Sequence, residues 1–165
     1  CFVPKPHTPF QWEPQDSLES LRSKQMFLAE KITDKKIRYN WHEAKVSRLE
    51  AVFSKGDRRL SKAILCAQKK GMRFDAWDEY FSYESWLEVF NECGIDIDFY
   101  ANRRMSYDEI LPWDVIDIGV SKSFLINESK KAYQSQTTPN CKEKCSGCGA
   151  NELGGKRTWC TRSCE

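Results

Sequence analysis

The chain has 165 residues and a mass of 19.3 kDa, the size of one ordinary domain or of a smaller domain with appendages. Hydrophobic residues make up 40% and charged residues 30%, a balance that excludes an intrinsically disordered protein. The formal net charge of +2 does not by itself indicate a nucleic-acid-binding protein. No stretch approaches the roughly 18 uninterrupted apolar residues of a transmembrane helix, so the pattern argues against one.

The first residues read CFVPKPHTPF, with neither the basic segment nor the apolar segment of a signal peptide. Because the sequence lacks an initiator methionine, it is interpreted as a fragment of a longer protein. We expect a cytoplasmic location and no contact with a membrane.

Four of the six prolines lie in residues 1–15, which predicts extended chain and turns. We expect Asp16 to cap a first helix that runs to about residue 32, with Glu19 completing a capping box. Its apolar face would consist of Leu18, Leu21, Leu28 and Ile32. Alternating residues then predict a short strand at 35–41.

Helical spacing of apolar residues predicts four further helices, near 43–54, 58–70, 83–93 and 121–133. Gly71 is expected to end the second of them. The residues expected to face inward in that helix are Leu60, Ala63, Ile64 and Ala67. The fold class predicted for the body is therefore mainly α, with a few short strands (α+β).

Charge is segregated along this body. Residues 31–73 carry thirteen Lys and Arg against four Asp and Glu, a net charge of +9. Residues 74–100 carry eight acidic residues and no basic one, a net charge of −8. The two segments are interpreted either as solvated faces that attract each other or as a basic surface that binds phosphates. The basic side chains of that surface are Lys55, Arg58, Arg59, Lys62, Lys69, Lys70 and Arg73.

The composition changes at about residue 134. Five of the eight cysteines lie beyond this point, where the only other apolar side chains are those of Ala150, Leu153 and Trp159. Burial in such a segment cannot offset an ordering entropy of about 1–2 kcal/mol per residue, so we expect cross-linking through cysteine. The predicted organisation is an extended segment (1–15), a helical region (16–133) and a cysteine-rich metal-binding tail (134–165).

The tail cysteines are Cys141, Cys145, Cys148, Cys160 and Cys164. The pairs at 145–148 and 160–164 together resemble two zinc knuckles, which form a site of four thiolates. The three cysteines at 141–148 with one of the last two suit a [4Fe–4S] cluster equally well. In either case Gly147 and Gly149 let backbone N–H groups approach the sulfurs. Disulfides are the simplest alternative, but the odd number of cysteines and the two-residue spacing favour a metal.

The other chemistry-bearing residues form no complete catalytic pattern. Cys66 and Cys93 lie at apolar helix faces and are expected to be small buried hydrophobes. His7 and His42 are the two histidines, and His42 is expected to have a structural role. The sequence contains no Walker A loop, Rossmann glycine pattern, GxSxG elbow or HExxH motif.

Five segments together carry a family resemblance: FVPKPHTPFQW at 2–12, GDRRL at 56–60, FDAW at 74–77, LPWDVIDIGV at 111–120 and CKEKCSGCG at 141–149. In this order they resemble a family of radical SAM proteins, the uncharacterised Fe–S oxidoreductases that commonly carry a cobalamin-binding-like domain upstream. Lys55 stands where the family usually has Arg. The chain departs from the family after Gly149, because its last two cysteines come late, and this leaves the fourth metal ligand open.

The resemblance implies the C-terminal portion of a radical SAM enzyme, which shapes the substrate cavity and is catalytically incomplete by itself. Lys5, His7 and Thr8 would lie at the edge of the barrel, whose upstream part would bind S-adenosylmethionine and its own [4Fe–4S] cluster. The tail would hold an accessory [4Fe–4S] cluster or zinc, because Gly147 occupies the position where the SAM-binding motif has an aromatic residue.

Arg58 and Arg59 are the candidates for binding substrate or phosphate. We expect Asp57 to hold one of them through a charge-assisted bond and to leave the other available. The alternative function is a zinc-stabilised module without a redox role, which binds RNA or a protein through the basic surface. A purely structural lid is the third interpretation.

Overall fold

A computed structural model describes residues 2–150, and within this range the chain forms six α-helices and no β-strand. The helices are α1 (Leu18–Lys31), α2 (Ala44–Ser54), α3 (Leu60–Lys69), α4 (Tyr83–Glu92), α5 (Ile97–Ala101) and α6 (Lys122–Tyr133). The predicted mainly helical fold is confirmed. None of these six helices is both long and apolar enough to cross a bilayer.

The short strand predicted at 35–41 is wrong. The segment begins with a turn at Lys35 and Lys36 and continues as irregular chain. Alternation of side chains is not sufficient for a strand, because backbone N–H and C=O groups need a neighbouring strand as partner. Residues 2–150 offer no such neighbour, and Ile37 and Trp41 are 58% and 50% exposed.

Serine side chains cap the first and last of the six helices. Ser17, rather than the predicted Asp16, caps α1, and its hydroxyl accepts a hydrogen bond from Ser20 N (3.2 Å). Ser121 caps α6 in the same way, with a bond from Phe124 N (3.2 Å). The helix α5 has no counterpart among the predicted elements, because five residues are too few to show a helical period.

The chain divides into two compact units. Unit 1 comprises Glu13–Arg104 together with the segment that ends at Pro4, and unit 2 comprises Lys5–Trp12 together with the chain from Met105 onward. The irregular segment before α1 therefore contributes residues to both units.

Unit 1 contains α1 to α5 around one apolar core. In it α2 packs against α5 and α1, and α3 packs against α4. Leu60, Ala63 and Ala67 of α3 are buried as expected, but Ile64 is 53% exposed because the buried stripe follows a narrow i, i+3, i+7 spacing. Leu28 of α1 is also largely exposed, at 44%. The core consists of Leu49, Ala51, Val52, Leu60, Ala63, Ala67, Tyr83, Trp86, Val89, Phe90, Tyr100 and Ala101.

Unit 2 is built from α6 and two stretches of irregular chain. The fully buried Trp12 accepts a hydrogen bond at its backbone oxygen from Met105 N (2.9 Å), and its ring packs edge-on against Tyr107 (4.9 Å between centroids). The Tyr107 hydroxyl is hydrogen-bonded to Ser129 Oγ of α6 (2.9 Å). The core consists of Trp12, Met105, Leu111, Trp113 and Leu125. Residues from both ends of the described chain therefore build one core.

A lysine side chain is buried inside unit 1. Lys55 is 1% exposed, and its ammonium donates hydrogen bonds to the backbone oxygens of Glu13 (2.7 Å) and Arg103 (3.0 Å). Burial of an unpaired ammonium would be costly, so these two carbonyls stabilise the charge. Glu13 and Arg103 lie at the two ends of the Glu13–Arg104 segment of unit 1. The lysine therefore holds both ends of that segment against α2.

We expect Lys55→Met to lower the free energy of unfolding by about 3 kcal/mol, because two buried carbonyls would lose a charged donor. Thermal and urea denaturation of the purified chain measure the change. Lys62→Met is the matched control, since Lys62 is exposed on α3 and its loss should leave the stability nearly unchanged. Equal unfolding of the Lys55 variant and the parent would contradict this role.

Candidate functional site

Unit 2 contains a cavity of about 420 Å³, a volume typical of small-molecule sites. Three parts of the sequence line it. The first motif contributes His7 and Gln11, the LPWDVIDIGV motif contributes residues 114–118 and 120, and the start of α6 contributes residues 121, 122 and 125. The two longest segments of the family resemblance therefore meet at one cavity.

The Gln11 side chain joins the two motifs. Gln11 is 2% exposed, and its Oε1 accepts hydrogen bonds from His7 N (2.9 Å) and from Trp113 Nε1 (2.6 Å). Trp113 lies 102 positions further along the chain. Since Oε1 also holds the His7 backbone, one buried amide sets the position of both segments.

The turn before Gln11 places His7 on the cavity wall. Thr8 Oγ1 donates to Lys5 O (2.8 Å), and Gln11 N donates to Thr8 O (3.1 Å), so the segment closes on itself. His7 adopts a positive φ of 57°, a conformation that few non-glycine residues take. Of the three residues expected at the barrel edge, His7 lines the cavity, whereas Lys5 and Thr8 shape the turn.

An ion pair lies at the polar end of the cavity. Lys122 Nζ donates to Asp114 Oδ2 (2.7 Å) and to Glu109 O (2.9 Å), and Leu111 N donates to the same carboxylate oxygen (3.0 Å). Partial burial acts to raise the pKa of Asp114, but the bonds from Lys122 and Leu111 outweigh it and hold that pKa below its ordinary value. Asp114 is therefore a carboxylate at neutral pH.

The remaining wall of the cavity is aliphatic. Its apolar side chains are Val115, Ile116, Ile118, Val120 and Leu125. Val115 and Ile116 are 89% and 58% exposed, so they lie at the surface. A cavity with a polar end and an aliphatic wall suits a small molecule that has a polar group on an apolar body.

The described part of the cysteine tail presents hydrogen-bond donors to sulfur. Gly147 N donates to Cys145 Sγ (3.4 Å), and Ala150 N donates to Cys148 Sγ (3.5 Å). Backbone N–H groups therefore approach two of the sulfurs, as expected, although the second donor belongs to Ala150 and not to Gly149. Backbone N–H bonds to sulfur are also a feature of cysteine-bound metal centres.

Within unit 2, the tail is hydrogen-bonded to the residue that caps α6, beside the cavity. Cys148 O accepts a hydrogen bond from Ser121 N (2.9 Å), the residue that caps α6. Gly149 has a φ of 96°, and a Cβ there would lie 3.1 Å from Gly119 O, so a side chain would be strained and crowded. The glycine lets the tail pass close to the loop that precedes α6.

Of the five predicted metal ligands, Cys141, Cys145 and Cys148 lie within the described residues. Within residues 2–150, no three His, Cys, Asp or Glu side chains are grouped so that they could hold one metal ion. Cys141 is exposed, whereas Cys145 and Cys148 are partly buried. Cys160 and Cys164 lie outside the described residues, so the predicted set of four ligands stays a prediction.

Arg58 and Arg59 lie in unit 1 at the start of α3 and differ in their contacts. The Asp57 carboxylate binds the Arg59 guanidinium through Nε (3.0 Å to both oxygens) and Nη2 (2.6 Å), and it also accepts from Arg59 N (2.9 Å). The hydrogen bond from Arg59 holds the pKa of Asp57 below its ordinary value. The guanidinium also lies over the Tyr100 ring (5.5 Å). Arg58 is exposed, and no carboxylate of the described chain pairs with it.

The glycine of this motif, Gly56, lies where the fold leaves no room for a side chain. A Cβ at Gly56 would lie 2.0 Å from Leu60 Cδ1 and 2.9 Å from Val52 O, so the chain passes too close for a side chain. Asp57 holds Arg59, as expected. Both residues lie before the helix, since α3 begins at Leu60 and Arg59 is the residue that immediately precedes it. The GDRR segment is thereby fixed in unit 1.

The two other cysteines and the second histidine have structural surroundings. Cys66 and Cys93 are partly buried and pack against the core of unit 1, and burial raises the pKa of the Cys66 thiol. His42 Nδ1 is hydrogen-bonded to Ser47 Oγ (3.1 Å), and His42 O accepts from Gln25 Nε2 (2.8 Å). These contacts agree with the roles expected for them.

The predicted site residues did not include five polar residues of the cavity: Gln11, Asp114, Asp117, Ser121 and Lys122. Gln11 and Asp114 stand inside the two longest motifs, which is the only signal that the sequence carries for them. A glutamine in a turn gives no sign that it will be buried. Its role depends on Trp113, which only the folded chain brings next to it.

No protein-family model, curated protein or solved structure matches this chain. The family resemblance therefore stays a prediction, and function is inferred from the residues and the geometry described above.

We expect Arg59→Ala to lower the melting temperature of the chain, because Asp57 would lose its cationic partner and Tyr100 the stacked guanidinium. Arg58→Ala should stay within about 2 °C of the parent, as is usual for an exposed side chain without partners. Differential scanning calorimetry measures both variants. If Arg58→Ala proved the more destabilising of the two, the assigned contacts would be wrong.

Proposed function

We propose that this chain is the C-terminal part of a radical SAM iron–sulfur enzyme, in which unit 2 forms part of the substrate cavity wall. In the same proposal the cysteine tail holds an accessory [4Fe–4S] cluster or zinc. The observation that carries the proposal is the pair of hydrogen bonds that Gln11 Oε1 accepts from His7 N and Trp113 Nε1.

These bonds support the proposal because they join the two longest segments that resemble the family. Residues 2–12 and 111–120 are far apart in the sequence, yet His7 and Asp114 line the same cavity. Segments that serve one ligand are expected to converge in this way, whereas unrelated surface loops are not.

The residues of this chain would bind and shield a substrate. The cluster and S-adenosylmethionine of the barrel would supply the reductive cleavage that starts the reaction. Here the aliphatic side chains of Ile118 and Val120 would exclude water from the bound molecule, while His7 and Gln11 would orient its polar group. None of these residues needs to transfer an electron.

The chemistry of the tail fits a thiolate-bound metal. Two residues separate Cys145 from Cys148, and each sulfur accepts a backbone N–H bond. Both zinc and iron–sulfur clusters can be bound by four cysteine thiolates. Two further ligands would therefore come from among three cysteines, Cys141 and the two beyond residue 150.

Exposed cations on α3 and immediately before it favour a second function. Arg58, Lys62 and Lys69 are exposed, and no carboxylate among residues 2–150 pairs with them. Cations in this state attract phosphates, which would suit a zinc-stabilised module that binds RNA or an acidic protein. Phosphate contacts would make that binding fall steeply with salt, and this dependence distinguishes it from the enzyme.

We expect the chain, purified without oxygen, to contain zinc or iron bound through the tail. Elemental analysis, the visible spectrum and a count of free thiols test this. Cys145→Ala should lose the metal, because it removes a ligand of the central pair. Cys66→Ala is the control and should retain it, since Cys66 packs against the core of unit 1. Stoichiometric disulfides without metal would contradict the expectation.

We expect the 165-residue chain alone to form no 5′-deoxyadenosine from S-adenosylmethionine and dithionite, because the barrel motif lies outside it. The protein extended by its upstream barrel should form it, as liquid chromatography of the products would reveal. Turnover by the chain alone would assign the SAM cluster to the tail. No turnover by the extended protein would contradict the enzyme and favour the zinc-stabilised module.

A further inference from the structure

The amide of Gln11 keeps a hydrogen-bond donor that the described chain does not use. Both groups that bind Oε1, the backbone N–H of His7 and the indole N–H of Trp113, are donors and cannot accept. The orientation of the amide is therefore determined by its partners, and its other end is the Nε2 group.

The cavity is the space that this Nε2 group can reach. Gln11 is 2% exposed and lines the cavity, and no residue in 2–150 accepts a bond from Nε2. Nε2 is not fully enclosed by protein atoms, so it is accessible from the cavity that Gln11 lines. A ligand that presents an acceptor at this point would give this donor a partner in place of water.

Asp114 supplies the opposite polarity in the same cavity. Its Oδ2 accepts from Lys122 Nζ and Leu111 N, whereas its Oδ1 has no partner within the described residues. The low pKa of Asp114 keeps the group ionised. The cavity therefore offers an acceptor at Asp114 as well as a donor at Gln11.

The charges of the lining select against an anion. The lining contains two carboxylates, those of Asp114 and Asp117, and one ammonium, that of Lys122, which is bound to Asp114. A carboxylate or phosphate would be repelled by the net negative charge of these side chains, whereas a neutral group would not be repelled. A primary or secondary amide is a neutral group that carries one acceptor and one donor side by side.

We propose that the cavity of unit 2 binds a small neutral amide with an aliphatic body. Its carbonyl oxygen accepts from Gln11 Nε2, and its N–H donates to Asp114 Oδ1. The His7 imidazole, which interacts electrostatically with Asp114, also lines the cavity and lies beside the amide as a further contact. The identification of this amide as a substrate rests on the proposed function, whereas the binding itself is a property of unit 2.

Three probes with the same aliphatic body test the proposal: 4-methylpentanamide, 4-methylpentanoate and 4-methylpentylamine. Each is titrated into the 165-residue chain while the methyl resonances of Ile118 and Val120 are followed, with Ile110 outside the cavity as reference. We expect the amide to bind with a Kd of about 1 mM, the range open to so small a ligand. The carboxylate and the amine should bind at least about tenfold more weakly.

Asp114→Asn reverses the polarity of one contact and provides a signature that a structural role would not give. The Asn oxygen can still accept from Lys122 and Leu111, so the fold is retained, but Oδ1 is replaced by an N–H donor. We expect the variant to bind the amide about tenfold more weakly and the carboxylate more tightly than the parent does. Asp108→Asn, the same change at an exposed position outside the cavity lining, is the control and should behave as the parent.

The proposal is overturned if the amide shows no saturable shift by about 20 mM, or if the parent prefers the carboxylate. An unaltered preference in Asp114→Asn also overturns it. The 5′-deoxyadenosine assay reads the proposed function separately. Amide binding without turnover by the extended protein would keep this site and contradict the enzyme. Turnover by the extended protein without amide binding would support the enzyme and contradict this site.

Discussion

Long segments of residues 2–150 lie outside helices, and the backbone carbonyls that they bury have to be satisfied without a β-sheet in this range. Buried polar side chains do this. In unit 1, Lys55 binds the carbonyls of Glu13 and Arg103, and Gln15 Nε2 binds that of Ser47 (2.9 Å). Each bond joins residues 32 to 48 positions apart in the sequence. The irregular segments are therefore held to the helices by charged and amide donors as well as by the apolar core.

Unit 2 follows the same rule with one difference that bears on function. Gln11 accepts hydrogen bonds from a backbone N–H and an indole N–H through a single oxygen. Its own Nε2 group then has no acceptor among the described residues. Since this group borders a cavity whose other polar residues include Asp114 and Lys122, the same side chain that fixes the fold of unit 2 also contributes to the polarity of its candidate site.

The cysteine tail and the cavity share the loop that leads into α6. Ser121 donates its backbone N–H to Cys148 and caps the helix with its hydroxyl, while Gly149 passes beside Gly119. A metal bound at Cys145 and Cys148 would stiffen this segment of the tail, because thiolate coordination adds free energy to the folded form. Through its hydrogen bond with Cys148, Ser121 joins the tail to the lining of the cavity.

The sequence by itself determined five of the six described helices, because apolar residues at helical spacing and a capping residue such as Ser121 act over a few neighbouring positions. It also identified the motifs around His7 and Asp114 and the cysteine pattern that favours a metal. Tertiary structure alone decided the rest. The alternation at 35–41 produced no strand, because a strand needs a partner elsewhere in the chain. Likewise, the burial of Gln11 depends on Trp113, which lies 102 positions away. Hydrogen-bond partners this distant leave no periodic trace in a sequence, so the polarity of the cavity became visible only in the folded chain.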